Sequence, residues 1–96
     1  MERKAIVTKR FQRNTLNTYT WLLDKFSAVV AFIFLDRLQQ RVELIIKNPE
    51  IGKPSQKTKN IRSLILQPHN KIYYRIKPNT IELLCLFDMR KKKEPY

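Results

Sequence analysis

The sequence predicts an α+β domain in the order β-α-α-β-β-β, a helical hairpin packed on one face of a twisted antiparallel sheet. Two patterns carry that expectation. Between Phe11 and Lys47 apolar residues recur at three- to five-residue spacing with no Gly or Pro to interrupt them, which is helical periodicity. Between Ile61 and Phe87 short apolar runs are separated by Gln67-Pro68-His69-Asn70 and by Pro78-Asn79, which is the pattern of strands joined by turns.

The first element is Lys4 to Lys9, a β-branched run (KAIVTK) flanked by charge, read as a strand of the same sheet. From about Phe11 to Phe26, the residues Phe11, Leu16, Tyr19, Leu22, Leu23 and Phe26 describe a helix with one buried stripe. Ser27 is placed to cap a second helix, because its hydroxyl can accept from an unpaired N–H of the first turn. That helix runs to about Lys47 with a stripe of Ala28, Ala31, Leu35, Leu38, Val42 and Ile45, and Asn48-Pro49 ends it because Pro disfavours helical geometry in the residue before it. Phe26-Ser27 leaves almost no connection, so the two helices should be antiparallel neighbours. Val30, Ile33 and Phe34 lie off the stripe; either they pack inside the domain or they line a groove open to another chain.

Asn48 to Lys59 reads as a polar connector without structure of its own, holding Gly52 and two prolines. Strands follow at Ile61 to Leu66, Lys71 to Lys77 and Thr80 to Phe87. Alternation puts Ile72, Tyr74 and Ile76 on one face with Ile81, Leu83, Cys85 and Phe87, and Lys71, Tyr73, Arg75 and Lys77 on the other. A turn centred on Pro78-Asn79 sets Arg75 opposite Glu82. One face should meet the helices and the other should be basic.

Composition bounds the function. At 96 residues and 43% hydrophobic the chain is one domain, residues 1–96, with one core. Its net charge is +12, a surface that attracts nucleic acid or acidic proteins. The single Cys85 cannot form an internal disulfide, in keeping with a reducing cytoplasm. The longest apolar run, Ala28 to Leu35, is far short of the roughly 20 residues a membrane helix needs, and the charged N-terminus does not read as a signal peptide, so a cytoplasmic protein is expected. One Gly rules out a glycine-rich phosphate loop, and one His with one Cys rules out Cys/His metal sites, so neither metal nor cofactor is expected. Cys85, in phase with Leu83 and Phe87, reads as core rather than nucleophile.

What remains is a basic sheet face bearing tyrosines. The order of elements resembles the RelE/ParE family of bacterial toxins from toxin–antitoxin pairs. So do four motifs: Asn48-Pro49-Glu50-Ile51-Gly52 at the helix end, Ile61-Arg62-Ser63-Leu64, Lys71-Ile72-Tyr73-Tyr74-Arg75-Ile76, and Ile81 to Phe87 followed by Asp88-Met89-Arg90. The resemblance implies a toxin held inactive by a cognate antitoxin. The first reading of its activity is ribosome-dependent cleavage of mRNA without metal; the alternatives are inhibition of DNA gyrase and a non-catalytic nucleic-acid-binding role. In the nuclease reading Arg62, Lys71 and Arg90 gather on the sheet face away from the helices and bind the scissile phosphate, whose developing charge fixed cations stabilise. Tyr96 corresponds to the family's terminal aromatic acid or base. Lys91, Lys92 and Lys93 would steer RNA, and His69, in a turn, is either solvated or stacks on a base.

Overall fold

The computed structural model describes residues 2–91 and 93–96. In chain order the elements are β1 (Lys4–Val7), α1 (Lys9–Lys25), α2 (Ala28–Lys47), a 3-10 turn (Pro49–Ile51), β2 (Lys53–Pro54), β3 (Ile61–Leu66), β4 (Asn70–Ile76) and β5 (Thr80–Asp88). The five strands form one sheet in the order β1-β5-β4-β3-β2. The α+β class and the helical hairpin are as expected; β1 joins β5 in parallel, so the sheet is mixed. A chain that leaves β1, crosses the sheet through a helical hairpin and returns through the meander brings β1 and β5 together in the same direction.

The helix starts follow local chemistry. Thr8, expected in the first strand, instead caps α1: its Oγ1 accepts from Phe11 N at 3.2 Å and donates to Leu83 O at 2.7 Å. Ser27 caps α2 as expected, its Oγ accepting from Val30 N at 3.2 Å. Ala31, Leu38 and Ile45 of the α2 stripe are buried, whereas Ala28 in the first turn is exposed. The stripe assigned to α1 fares less well. Phe11 is buried, but Leu16, Leu23 and Phe26 are exposed, because the inward row also uses polar residues that hydrophobic periodicity does not register. Asn14 is one of them, its Oδ1 accepting from Leu86 N at 3.1 Å. β1 pairs with β5 only as far as Leu83, and beyond that point a helix side chain takes the place of a neighbouring strand.

Two further expectations are corrected. The segment 48–59 is not a bare connector: it contains the 3-10 turn and β2, whose Lys53 and Pro54 pair with Ser63 and Arg62. Its anchor is Tyr74, fully buried, whose hydroxyl donates to Pro49 O at 2.6 Å and accepts from Gly52 N at 2.9 Å. The second correction concerns the faces. Tyr73 pairs with Cys85 but Tyr74 with Leu83, so Leu84 is an extra residue, a β-bulge. The bulge reverses the phase of β5, placing Ile81, Leu83 and Leu86 under the helices and Leu84, Cys85 and Phe87 on the opposite face with Ile61 and Tyr73. That opposite face is therefore not simply basic. Its centre is an apolar cluster covered by Met89 and Tyr96 from the C-terminal segment. Arg75 does sit opposite Glu82, with Nη1 3.3 Å from Oε1. Among the described residues, no helix is long and apolar enough to cross a membrane.

Candidate functional site

Arg62, Lys71 and Arg90 lie in three separate environments. Arg62 stands on β3 opposite Tyr74, hence on the helix side of the sheet, and its Nη1 donates to Gly52 O at 2.7 Å and to Glu50 O at 3.1 Å. Its guanidinium is held by the turn that Tyr74 anchors. Lys71 alternates to the opposite face, where its Nζ lies 2.5 Å from Glu94 Oε1. Arg90 follows β5 at the same end of the strands as Lys71, away from Arg62, but beside α1: its Nη2 is 2.7 Å from Asp88 Oδ2, its Nε 3.0 Å from Asp88 Oδ1, and its guanidinium carbon 5.8 Å from the centre of the Trp21 ring. Arg62 and Asp88 pair with Tyr74 and Asn70 of β4, four positions apart, or about 13 Å along the strand. The single cationic pocket expected from the sequence is not assembled.

Two basic regions stand in its place. On the open face, Glu94 Oε1 accepts from both Lys71 Nζ and Tyr73 Oη, the latter at 2.6 Å, and the Tyr96 ring lies 5.4 Å from that of Tyr73. Burial and the hydrogen bond to Glu94 push the Tyr73 hydroxyl well above the ordinary phenol range, and Lys71 with Tyr73 holds the Glu94 carboxyl below the ordinary carboxylate range. Arg75 and Lys77 on the same face are occupied by Glu82, at 3.3 and 3.5 Å.

The second region is a groove of about 610 Å³ between the hairpin and the end of the sheet, lined by Trp21, Phe26, Val30 and Ile33 and bordered by Arg37, Arg90 and Lys91. Of the three apolar residues off the α2 stripe, Phe34 packs against the core, whereas Val30 and Ile33 remain exposed. His69 lines the same groove, and its carbonyl accepts from Met89 N at 2.6 Å. The Asp88 carboxyl is held down at about 2 by its hydrogen bonds to Arg90. Lys93 is exposed at the start of the C-terminal segment; Lys92 lies outside the described residues. Among the described residues no cluster of His, Cys, Asp and Glu could hold a metal ion.

Reading the sequence missed Trp21, Tyr73 and Glu94. Glu94 carried a signal: it is the one acid in the basic run from Arg90 to Tyr96.

A family model described as the ParE toxin of the type II toxin–antitoxin system parDE matches residues 5–92. The chain belongs to this ParE toxin family. Solved toxins share its fold. A chain of the chromosomal ParDE system from P. aeruginosa superposes with a TM-score of 0.77 at 17% identity, over 90% of this toxin and 95% of that chain. A chain of the E. coli DinJ-YafQ toxin–antitoxin complex gives 0.66 at 13% identity, over 94% and 96%. A copper-bound mutant toxin from Helicobacter pylori gives 0.61 at 22% identity, over 92% and 96%. No curated protein matches this toxin significantly by sequence.

Proposed function

We propose that this toxin disables DNA gyrase by binding it, and does not cut mRNA. The observation that carries the reading is the separation of Arg62, Lys71 and Arg90. Metal-free cleavage of RNA needs several cations on one phosphate, with a base and an acid in reach of the moving protons. Here Arg62 is bound to backbone carbonyls, Lys71 to Glu94 on the other face, and Arg90 to Asp88. The Tyr73 hydroxyl, pushed up by burial, is a poor base at neutral pH. Membership of the parDE-type family points the same way.

An antitoxin is the partner that the groove fits. Val30, Ile33, Trp21 and Phe26 are exposed apolar side chains on one concave surface, and a basic border on a chain of net charge +12 favours an acidic amphipathic segment. Ile33→Asp should weaken capture of a small acidic protein encoded beside this one by about tenfold or more, since one buried aliphatic side chain is worth about 1.5–3 kcal/mol.

Two assays on one preparation decide the activity. Added to a gyrase supercoiling reaction, the toxin should leave plasmid relaxed; added to a translation extract, it should leave message intact. Message cut in the ribosomal A site while supercoiling proceeds would overturn the gyrase reading and establish the ribosome-dependent nuclease.

A further inference from the structure

β1 leaves one edge of the sheet open. It ends the strand order and, among the described residues, pairs with β5 alone. Lys4 N donates to Asn79 O and Thr8 N to Leu83 O, so the alternate residues Ala5 and Val7 turn their backbone groups to the outer edge. The strand, KAIV, holds no Pro, its pairing with β5 runs without a register shift, and its one charge is Lys4 at the start. Ile6 and Val7 are 45% and 43% exposed, so the edge is apolar and ready to pair. On the helix side a groove of about 350 Å³ runs between Val7 and the hairpin, lined further by Gln12, Thr15, Leu16, Tyr19 and Leu35. No residue lining it is charged. We propose that this edge and groove form a two-fold interface with a second copy of the toxin, the two β1 strands pairing antiparallel about Ile6.

Charge selects the occupant. Two chains of net charge +12 repel each other and can meet closely only where their surfaces carry little charge. An acidic segment gains nothing from an uncharged lining and is drawn instead to the border of Arg37, Arg90 and Lys91 on the other groove. Register follows from the open backbone groups. With Ile6 facing its own copy across the axis, Ala5 and Val7 of one copy exchange both backbone bonds with Val7 and Ala5 of the other, and Lys4 falls opposite Thr8. Ile6 lies on the open face of the sheet, because its neighbours Ala5 and Val7 pair with Ile81 and Leu83 under the helices. A two-fold axis relating antiparallel neighbours is normal to the sheet, so both hairpins stay on one side and the two grooves, with their exposed Leu16 side chains, flank the junction. The interface is independent of the gyrase reading, and its groove shares no lining residue with the one assigned to the antitoxin.

The test is sedimentation equilibrium of the full-length toxin from low to high micromolar concentration, with circular dichroism checking the fold of each variant. A reversible dimer should appear, and raising salt from about 0.05 to 0.5 M should tighten it, since screening relieves the repulsion between two basic chains. Ile6→Lys should raise the dissociation constant about tenfold or more, because it replaces an apolar contact on the axis with two like charges. Leu16→Lys, at an exposed helical position, is the second variant and should act in the same direction. Val29→Lys adds the same charge at an exposed α2 position outside the groove and should change the constant by less than about twofold. Mild oxidation reads the register: Ile6→Cys should crosslink the dimer and Ala5→Cys should not, with Cys85 buried in both. A monomer throughout the range overturns the proposal, as does a dimer indifferent to Ile6→Lys and Leu16→Lys, or one crosslinked through Ala5→Cys and not through Ile6→Cys. Protection of the Ala5 and Val7 amides from hydrogen exchange only when the acidic protein encoded beside the toxin is added would also overturn it, assigning the edge to that partner.

Discussion

Tyr74→Phe should be among the most damaging single-atom deletions in this protein. The hydroxyl donates to Pro49 O and accepts from Gly52 N, and no part of the side chain is exposed. Removing it leaves a buried N–H without its partner and a carbonyl beside it without its donor. A buried orphan group costs about 1–3 kcal/mol. Gly52 is buried and bears the full penalty, while Pro49 is partly exposed and can recruit water, so the sum is about 2 kcal/mol. For a domain of this size each kcal/mol lowers Tm by about 4–8 °C, giving a fall of about 8–16 °C. Thermal and urea unfolding followed by far-UV circular dichroism would measure it. Tyr73→Phe is the internal comparison: its hydroxyl meets the partly exposed Glu94, and its loss should cost less than about 1 kcal/mol. If Tyr74→Phe cost no more than about 0.5 kcal/mol, an ordinary surface effect, the account of how the turn at Pro49–Ile51 is anchored would be wrong.

Gly52→Ala should destabilise to a similar or greater degree, read in the same melts. A Cβ there would press on Tyr74 Oη and lie 2.9 Å from both Ser63 O and Tyr74 Cε1, so space and not backbone conformation demands the glycine, whose φ is −76°. Thr8→Ala removes the α1 cap and the bond to Leu83 O together and should cost about 1–2 kcal/mol in urea unfolding. Asp88 is held down at about 2 by Arg90. Its depressed value makes it stabilising above the unfolded carboxyl value near pH 3.8, with that contribution lost as pH falls toward 2. Asp88→Asn should therefore flatten the pH dependence of Tm across that window, and an unchanged slope would refute the pairing.

The meander, the hairpin and both ends of α2 were legible in the sequence because each is written locally. Ser27 caps by its own hydroxyl, Asn48-Pro49 stops the helix by its own geometry, and Pro78-Asn79 turns the chain so that Arg75 meets Glu82. Membership in the toxin family was legible for the same reason, carried by short motifs in order. Tertiary structure decided what depends on distance. One inserted residue, Leu84, moved Cys85 and Phe87 from the helix face to the open face, and no pattern in β5 alone announces a bulge whose register is fixed by its partner strand. Arg62 and Lys71 look alike as exposed cations in sequence. Opposite faces of the sheet part them, with Arg62 turned to the carbonyls of Glu50 and Gly52 and Lys71 to the carboxylate of Glu94. A residue's type and spacing set which bonds it can make; which bond it does make is set by what the fold brings within about 3 Å of it.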